Sequence, residues 1–359
     1  MLRKTVLSLT LGLLLLAPSA RAADSAPAVP QEAAPAATPT EKAPLVLDMI
    51  LGDPESSEMG VLGNDFKKFV EKASNNTVQV KLAYGGGLGE DEAFQFHRVQ
   101  TGKLDMALGG IGNLVPMVKP LGVLTLPYLF FTLDDVVRGT TGKPAELLNS
   151  YAEKAGLRIL AWTYCGFRYI SNSKHPITSL EDMRGLRFRV PQSIVMIETY
   201  RAFGGLPSTI AWNMTYNALK HDLVDGQCYD YSGFRAMKFK DAGQKYITEI
   251  HYLYNLQPLV ISERIFKSLS PEVQKILVDA GRHAQEQSFQ YQKECSEEAK
   301  QELYKEGVKI TTLHDEGPWR KVAREKVWPR VAESMGGRES INAYLKACDL
   351  PLWNPEEAQ

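Results

Sequence analysis

The sequence has few cysteines and lacks the short motifs that mark many enzymes and metalloproteins. It contains no HExxH, GxSxG or CxxC motif, and its glycine-rich stretch, 85–89, lacks the spacing of a P-loop or a dinucleotide-binding loop. The six histidines are scattered without the spacing of metal ligands. We therefore expect no cofactor and no metal, and an exported enzyme that uses Glu90, Asp91 or a histidine is the least favoured function.

An excess of positive charge is also missing. The chain has 41 Lys and Arg against 42 Asp and Glu, a formal net charge of -1. Without Arg3, Lys4 and Arg21 of the N-terminal segment, the value becomes -1 - 3 = -4. Such a chain has no basic field to attract nucleic acid or anionic lipid, so we expect neither partner.

The sequence has one long apolar run, at its N-terminus. Residues 1–22 combine Arg3 and Lys4 with an apolar stretch at 6–17 and a small-residue site ending at Ala22, which indicates a signal peptide cleaved after Ala22. The stretch is too short to cross a ~30 Å hydrocarbon layer, so we expect export without membrane insertion. Residues 23–43 are rich in Ala and Pro and predict a disordered tether.

The four cysteines leave the disulfide pattern open. An even number in an exported chain permits one or two disulfides. Cys295 with Cys348 would tie the C-terminal segment to a helix, and Cys165 with Cys228 is a less favoured second pair. Spacing alone does not decide between paired and free thiols.

Periodicity predicts an α/β fold with parallel strands. A strand at 45–50, a helix from Met59 to Ala73 and a strand at 78–84 are followed by a helix ending near Gly102 and a strand at 104–108. A second set of strands and helices lies between 158 and 221 and predicts a second lobe. Ser270 and Pro271 then begin a helix that runs to about Gly307; at roughly 54 Å it is long enough to bridge both lobes.

Two arginines lie in strand-like apolar surroundings. Arg168 follows Phe167 and precedes Tyr169-Ile170, and Arg189 stands between Phe188 and Val190-Pro191. A guanidinium is rarely buried unless it is paired, and its planar fork matches a carboxylate. The carboxylate could belong to a bound ligand or to an acidic residue of the same chain. The residues alone slightly favour the internal ion pair.

Several segments in order give the chain a resemblance to a known family. The chain resembles the DctP-type substrate-binding subunit of tripartite ATP-independent periplasmic (TRAP) transporters over about 300 residues. The resemblance begins at Gly87-Leu88-Gly89-Glu90-Asp91 and continues through Thr125-Leu126-Pro127-Tyr128-Leu129-Phe130, the segment from Ile177 to Pro191, Tyr216-Asn217-Ala218-Leu219, Val224-Asp225-Gly226-Gln227 and the long helix after Leu269.

This resemblance implies a two-lobed periplasmic binding protein with hinge strands and no catalysis. Lobe 1 would comprise 44–165 and 255–293, and lobe 2 would comprise 166–254 and 294–359. The protein would capture an organic carboxylate in the periplasm and deliver it to the membrane permease subunits of a TRAP transporter driven by an ion gradient. A receptor that presents its ligand to a membrane sensor is the alternative.

The resemblance also implies roles for individual residues. Arg189 occupies the position of the arginine that clamps the ligand carboxylate in two hydrogen bonds, and Arg168 that of an assisting arginine. Trp212 would cover the ligand, and Asp91 matches an acidic pocket residue of some members.

Departures from the family pattern suggest the kind of acid. Tyr229 stands where an asparagine often contacts the ligand, Gly110 where sugar-acid binders may present a carboxylate, and Met214 in place of a glutamate. Together with Tyr164 and other nearby aromatic residues, these substitutions predict that polar partners are missing. The expected ligand is then a less hydroxylated acid with an aromatic or apolar body.

Overall fold

Short apolar runs and amphipathic stretches form strands and helices in the order that their spacing predicts. In the strand at 78–83, Val78 and Val80 are buried while Gln79 and Lys81 are exposed. The buried face of the first helix includes Met59, Leu62, Phe66 and Val70. The computed structural model describes residues 43–85 and 90–355 of the 359-residue chain. The predicted signal peptide, the tether up to Lys42 and residues 86–89 lie outside the described residues.

The described residues contain eleven strands and thirteen α-helices. The strands are β1 Leu45–Leu51, β2 Val78–Ala83, β3 Met106–Leu108, β4 Leu157–Phe167, β5 Tyr169–Asn172, β6 Arg187–Val190, β7 Leu206–Thr209, β8 Gly226–Tyr229, β9 Tyr246–Glu249, β10 Tyr254–Ser262 and β11 Lys309–Thr312. The helices are α1 Glu58–Ala73, α2 Glu92–Gln100, α3 Ile111–Leu114, α4 Leu133–Gly139, α5 Gly142–Lys154, α6 Ile194–Ala202, α7 Thr215–Lys220, α8 Tyr231–Ala236, α9 Glu263–Ser268, α10 Pro271–Lys305, α11 Gly317–Val322, α12 Trp328–Val331 and α13 Gly337–Ala347.

The strands form two separate sheets. The first sheet has the order β2-β1-β3-β10-β4, and the second has the order β11-β9-β5-β8-β6-β7. In the first sheet β1 pairs in parallel with β2 and β3, while β10 is antiparallel to both of its neighbours. In the second sheet β6 is parallel to β7 and β8. The predicted α/β class, with two sheets and a long helix, is confirmed.

Two of the connections between the sheets are adjacent. Arg168 separates β4 of the first sheet from β5 of the second, and residues 250–253 connect β9 to β10. The backbone N–H of Arg168 donates to the carbonyl of Leu253 at 2.8 Å, which joins the two crossings. The predicted lobe boundaries at 165/166 and 254/255 fall beside these crossings.

Helix α10 contributes to the cores of both sheets. The hydroxyl of Ser270 accepts from the N–H of Val273 at 3.3 Å and Pro271 occupies the first turn, so the helix begins as the sequence predicts. Its 35 residues span roughly 52 Å. Ala280 and Ala284 pack in a core of the first sheet, whereas Ala299 and Leu303 pack with residues of the second.

The C-terminal helices differ from the sequence expectation. Residues 294–359 were expected to belong to lobe 2, but Trp328, Tyr344 and Leu345 pack in a core cluster with Leu148 and Trp162 of the first sheet's side. The indole N–H of Trp328 also donates to the carbonyl of Pro127 at 2.9 Å. The end of the chain therefore packs on the first sheet's side, where its apolar residues are buried.

All four cysteines are free, so neither predicted disulfide forms. Cys165 is buried in β4, where its thiol donates to the side-chain oxygen of Gln257 at 3.0 Å, and Cys228 lies in β8 beside the guanidinium of Arg168. Cys295 lies within α10, and Cys348 follows α13. Within residues 43–85 and 90–355, no helix combines the length and the hydrophobicity needed to cross a membrane.

The contact between α10 and β4 requires glycine at position 281. A Cβ atom there would lie 2.2 Å from the backbone carbonyl oxygen of Leu160. Alanine normally stabilises a helix interior by about 1 kcal/mol relative to glycine. We expect Gly281→Ala to lower the free energy of unfolding instead, by about 1–3 kcal/mol, because the backbone cannot move aside easily. Denaturant titration measures this change.

Gly63→Ala in α1 is the matched control. Its Cβ would meet the end of the Leu51 side chain, which can rotate, at 2.6 Å. We expect a smaller loss of stability. Equal stability of Gly281→Ala and the wild type would contradict this account of the helix contact.

Candidate functional site

A small cavity with apolar and polar lining residues lies where strands of both sheets end. Asp53 follows β1, Gly110 follows β3, Arg189 lies near the end of β6 and Tyr229 ends β8. Ligand sites of open α/β sheets form at the carboxyl ends of parallel strands. The cavity has a volume of ≈ 40 Å³ and is lined by Met59, Glu92, Gly110, Ile111, Gly112, Asn113, Thr125, Arg168, Arg189, Pro191, Met196, Trp212, Tyr229, Leu253, Tyr254, Asn255 and Gln257.

Arg189 reaches the cavity because of strand alternation in β6. Phe188 and Val190 face the apolar core, so the arginine faces the opposite side. Its Nε–H donates to the carbonyl of Ile210 at 2.9 Å, and the residue is only 3% exposed. Its Nη2 has no hydrogen-bond partner among the described residues. A buried donor that is unsatisfied in this way is suited to an anionic ligand.

Arg168 lies beside Arg189 with neutral partners. Its Nη1 donates to Asn255 Oδ1 and its Nη2 to the carbonyl of Cys228, each at 2.6 Å. Burial, and then the positive charge of Arg168, lower the pKa of Arg189 to about 10. Both guanidinium groups therefore remain charged at neutral pH.

The internal ion pair considered for the two arginines is not formed. No carboxylate of the described residues makes an ion pair with Arg168 or Arg189. Arg187, two residues earlier in β6, does make such a pair, with Asp225 at 2.9 Å. Asp53 and Asp230 act on Arg168 and Glu92 acts on Arg189 through their charges, but none of them pairs directly with either guanidinium group.

Trp212 and Tyr229 form one wall of the cavity. Their rings stack at 5.0 Å, with Arg189 over the indole at 5.2 Å and Arg168 over the phenol at 4.8 Å. The carboxylate of Asp53 accepts from the indole N–H at 2.8 Å and from the phenol hydroxyl at 2.7 Å. This set, the Asp53 bridge, connects the loop after β1 of the first sheet to two residues of the second sheet's side.

Glu92 and Asn113 form a polar part of the cavity lining. Glu92 Oε2 accepts from the backbone N–H of Gly110 at 3.1 Å and from the amide of Asn113. Burial, and then the nearby Asp53, raise the pKa of Glu92 to about 7. Burial also raises the pKa of Asp53. Glu92 therefore changes its charge near neutral pH, while Arg189, with a pKa of about 10, stays charged.

Five of the seven predicted site residues line the cavity, namely Arg168, Arg189, Trp212, Tyr229 and Gly110. Asp91 does not, because it precedes α2 and it is the next residue, Glu92, whose side chain turns inward. Tyr164 is buried elsewhere: its hydroxyl lies 2.8 Å from the hydroxyl of Thr140 and accepts from the amide of Gln285 at 3.0 Å. No cluster of His, Cys, Asp or Glu suited to a metal ion occurs in the part of the chain that the structure describes.

The expectation that polar partners are missing is wrong. Glu92, Asn113, Asn255 and Gln257 line the cavity, and Asp53 lies behind its aromatic wall. Positions 110, 214 and 229 lack the polar groups of some relatives, but Glu92, Asn113, Asn255 and Gln257 reach the cavity from other elements. The turn Gly52-Asp53-Pro54 and the acidic start of α2 were visible in the sequence, but nothing in their spacing showed where they point.

Comparison with known proteins gives one consistent family. The model of DctP, the bacterial extracellular solute-binding protein family 7, matches residues 51–335. The C4-dicarboxylate-binding protein DctB of Bacillus subtilis is 26% identical over 293 residues, which are 81% of this chain and 83% of the relative.

Two crystal structures of TRAP periplasmic solute-binding proteins are also similar. One, from Polaromonas sp. JS666 with bound D-erythronate, has a TM-score of 0.79 at 26% identity and covers 84% of this chain and 98% of its own. The other, from Ralstonia eutropha H16 with bound (S)-2-acetolactate, has a TM-score of 0.77 at 29% identity and covers 85% and 98%.

The Asp53 bridge predicts how the ligand-free protein opens. In Tyr229→Phe the ring stack remains, but the hydrogen bonds of the hydroxyl with Asp53 and Gln257 are lost. We expect the ligand-free variant to populate a more open arrangement of the two sheets. Small-angle X-ray scattering should then report a larger radius of gyration than for the wild type.

Tyr231→Phe provides the control for this experiment. Its hydroxyl donates to Glu249 at 2.8 Å within the second sheet's side, so removing it leaves the cavity walls in place. Scattering from this variant should match the wild type. Superimposable curves for Tyr229→Phe and the wild type would show that the Tyr229 hydroxyl does not hold the sheets together.

Proposed function

Because the chain belongs to the DctP family of bacterial extracellular solute-binding proteins, we propose that it captures a small organic carboxylate in the periplasm and delivers it to a TRAP-type permease. The family and its solved relatives are binding proteins, not enzymes. The observation that carries the proposal for this chain is the unpaired Nη2 of buried Arg189, next to Arg168.

Electrostatics favours an anion in this cavity. Two guanidinium groups are held away from water without an acidic partner, so a ligand carboxylate would supply the missing counter-charge and the missing hydrogen-bond acceptor. Glu92 and Asn113 also line the cavity and can contact the rest of the ligand. Arg189 would bind the carboxylate, and Arg168 would assist.

The cavity favours a short and oxygenated acid. Its volume of ≈ 40 Å³ leaves room for a small ligand. The similar structures bind D-erythronate and (S)-2-acetolactate, which are also short acids that carry additional oxygen atoms. The polar walls of this chain suit such a ligand better than an acid with an aromatic or apolar body.

Ligand capture would couple to movement at the two crossings between the sheets. Arg168 contributes its side chain to the cavity and its backbone N–H to the bond with Leu253. A ligand that bridges Arg189 of one sheet and Glu92 beside the other would favour the closed arrangement over the open one. The permease would then receive the closed, loaded form.

Replacing Arg189 tests the clamp. We expect Arg189→Ala to weaken binding by at least about 100-fold, since each charge-assisted hydrogen bond contributes roughly 10- to 150-fold in affinity. Arg189→Lys should also lose most affinity because a point charge cannot replace the planar fork. Isothermal titration calorimetry with the acid identified by mass spectrometry of the purified protein measures both.

Arg187→Lys is the matched control, because Arg187 lies in the same strand and pairs with Asp225 away from the cavity. Its affinity should stay within about threefold of the wild type. Wild-type affinity in Arg189→Ala would refute the proposed clamp. Uptake of the acid by cells that lack this protein separates delivery to a permease from presentation to a sensor, since only delivery makes uptake depend on the protein.

A further inference from the structure

The carboxyl group of Glu92 lies in a space that three neighbouring glycines leave open. Glycines surround it at three positions: a Cβ atom on Gly52 would lie 1.8 Å from Oε1, one on Gly109 3.1 Å from Cδ and one on Gly110 3.5 Å from Oε2. The residue is 4% exposed although it begins a helix. The backbone thus leaves space for this carboxyl group beside the cavity.

The two oxygens of Glu92 have different surroundings. Oε2 accepts from the Gly110 N–H and from Asn113. Oε1 has no hydrogen-bond partner among the described residues, and Glu92 is part of the cavity lining. Oε2 therefore fixes the carboxyl group, whereas Oε1 lies against Gly52 and accepts no hydrogen bond from a described residue.

We infer that Glu92 determines ligand specificity by accepting a hydrogen bond from a ligand hydroxyl, so that the site takes short hydroxylated monocarboxylates. This inference rests on the proposed function, in which Arg189 binds the ligand carboxylate. A hydroxyl can donate to the free oxygen of Glu92, whereas the second carboxylate of a dicarboxylate would be repelled. The nearby Asp53 adds to this repulsion.

The charge of Glu92 changes close to neutral pH. The charged groups that act on it are Asp53, which raises its pKa, and Arg189, which lowers it; its other contacts, Asn113 and the Gly110 N–H, are neutral. The ionised form is the better acceptor for a hydroxyl. Affinity for a hydroxy acid should therefore rise with pH as Glu92 loses its proton at a pKa of about 7.

Glu92→Gln is the informative variant. The amide oxygen of glutamine can still accept from Gly110 and Asn113, so the fold contacts are retained while the second oxygen becomes a donor group. Calorimetry would compare D-erythronate and glycerate with succinate and propanoate. We expect the wild type to prefer the hydroxy acids, and Glu92→Gln to bind D-erythronate about 10- to 150-fold more weakly without weaker binding of succinate.

A carboxylate introduced at position 110 tests whether the hydroxy-acid preference can be restored. Gly110 has φ -63° and ψ 132°, a conformation that any L-residue adopts, and its Cβ would stand close to the carboxyl group of Glu92. The double variant Glu92→Ala with Gly110→Asp returns an acid to the same point. It should recover much of the hydroxy-acid preference that Glu92→Ala alone loses.

The outcomes separate this inference from the proposed function. If Arg189→Ala abolishes binding of D-erythronate while Glu92→Gln matches the wild type in affinity and pH profile, the role of Glu92 is overturned and the clamp stands. If the wild type binds no acid of the panel, or Arg189→Ala binds as the wild type does, the clamp role of Arg189 and the specificity role of Glu92 are both overturned. Should Glu92→Gln fail to fold by circular dichroism, the pH profile of the wild type decides: an affinity that is flat or falls between pH 6 and 8 overturns the inference.

Discussion

Burying a guanidinium without an acidic partner is unfavourable because protein groups screen its charge less well than water does. This chain buries two such groups beside one cavity, and the rest of the site is arranged around them. Carbonyl and amide oxygens hold Arg168, the Ile210 carbonyl holds Arg189, and two stacked aromatic rings lie against both. The fold buries both guanidinium groups without a direct ion pair to any described residue. A carboxylate that pairs with them must therefore belong to a ligand.

The two sheets make this arrangement possible. Strand alternation in β6 turns Arg189 away from the core that holds Phe188, and the crossing after β4 places Arg168 against Leu253. Asp53 and Glu92 approach from the side of the first sheet, so the acidic groups and the guanidinium groups stand on different elements. The cavity therefore depends on how the two sheets meet.

Local pattern was enough to predict much of the fold and part of the site. The strand at 78–83, helix α1 and the N-cap of α10 follow from alternation, periodicity and Ser270-Pro271. The family motifs identified Arg168, Arg189, Trp212 and Tyr229, which line the cavity. Asp53 and Glu92 escaped prediction because their roles depend on contacts across 159 and 21 residues of chain, with Trp212 and Asn113. The free cysteines and the packing of Trp328 in the first sheet's core also depend on contacts between residues far apart in the chain.

The position of Glu92 beside Gly110 has a consequence for comparing relatives. The Glu92 carboxyl oxygen Oε2 lies 3.5 Å from the point where a Cβ of residue 110 would stand, although the two residues belong to different elements. Position 110 of the sequence shows only a glycine, although a carboxyl group from another element occupies the adjoining space. In this chain, a comparison of points in space therefore finds an acid that a comparison of sequence positions misses.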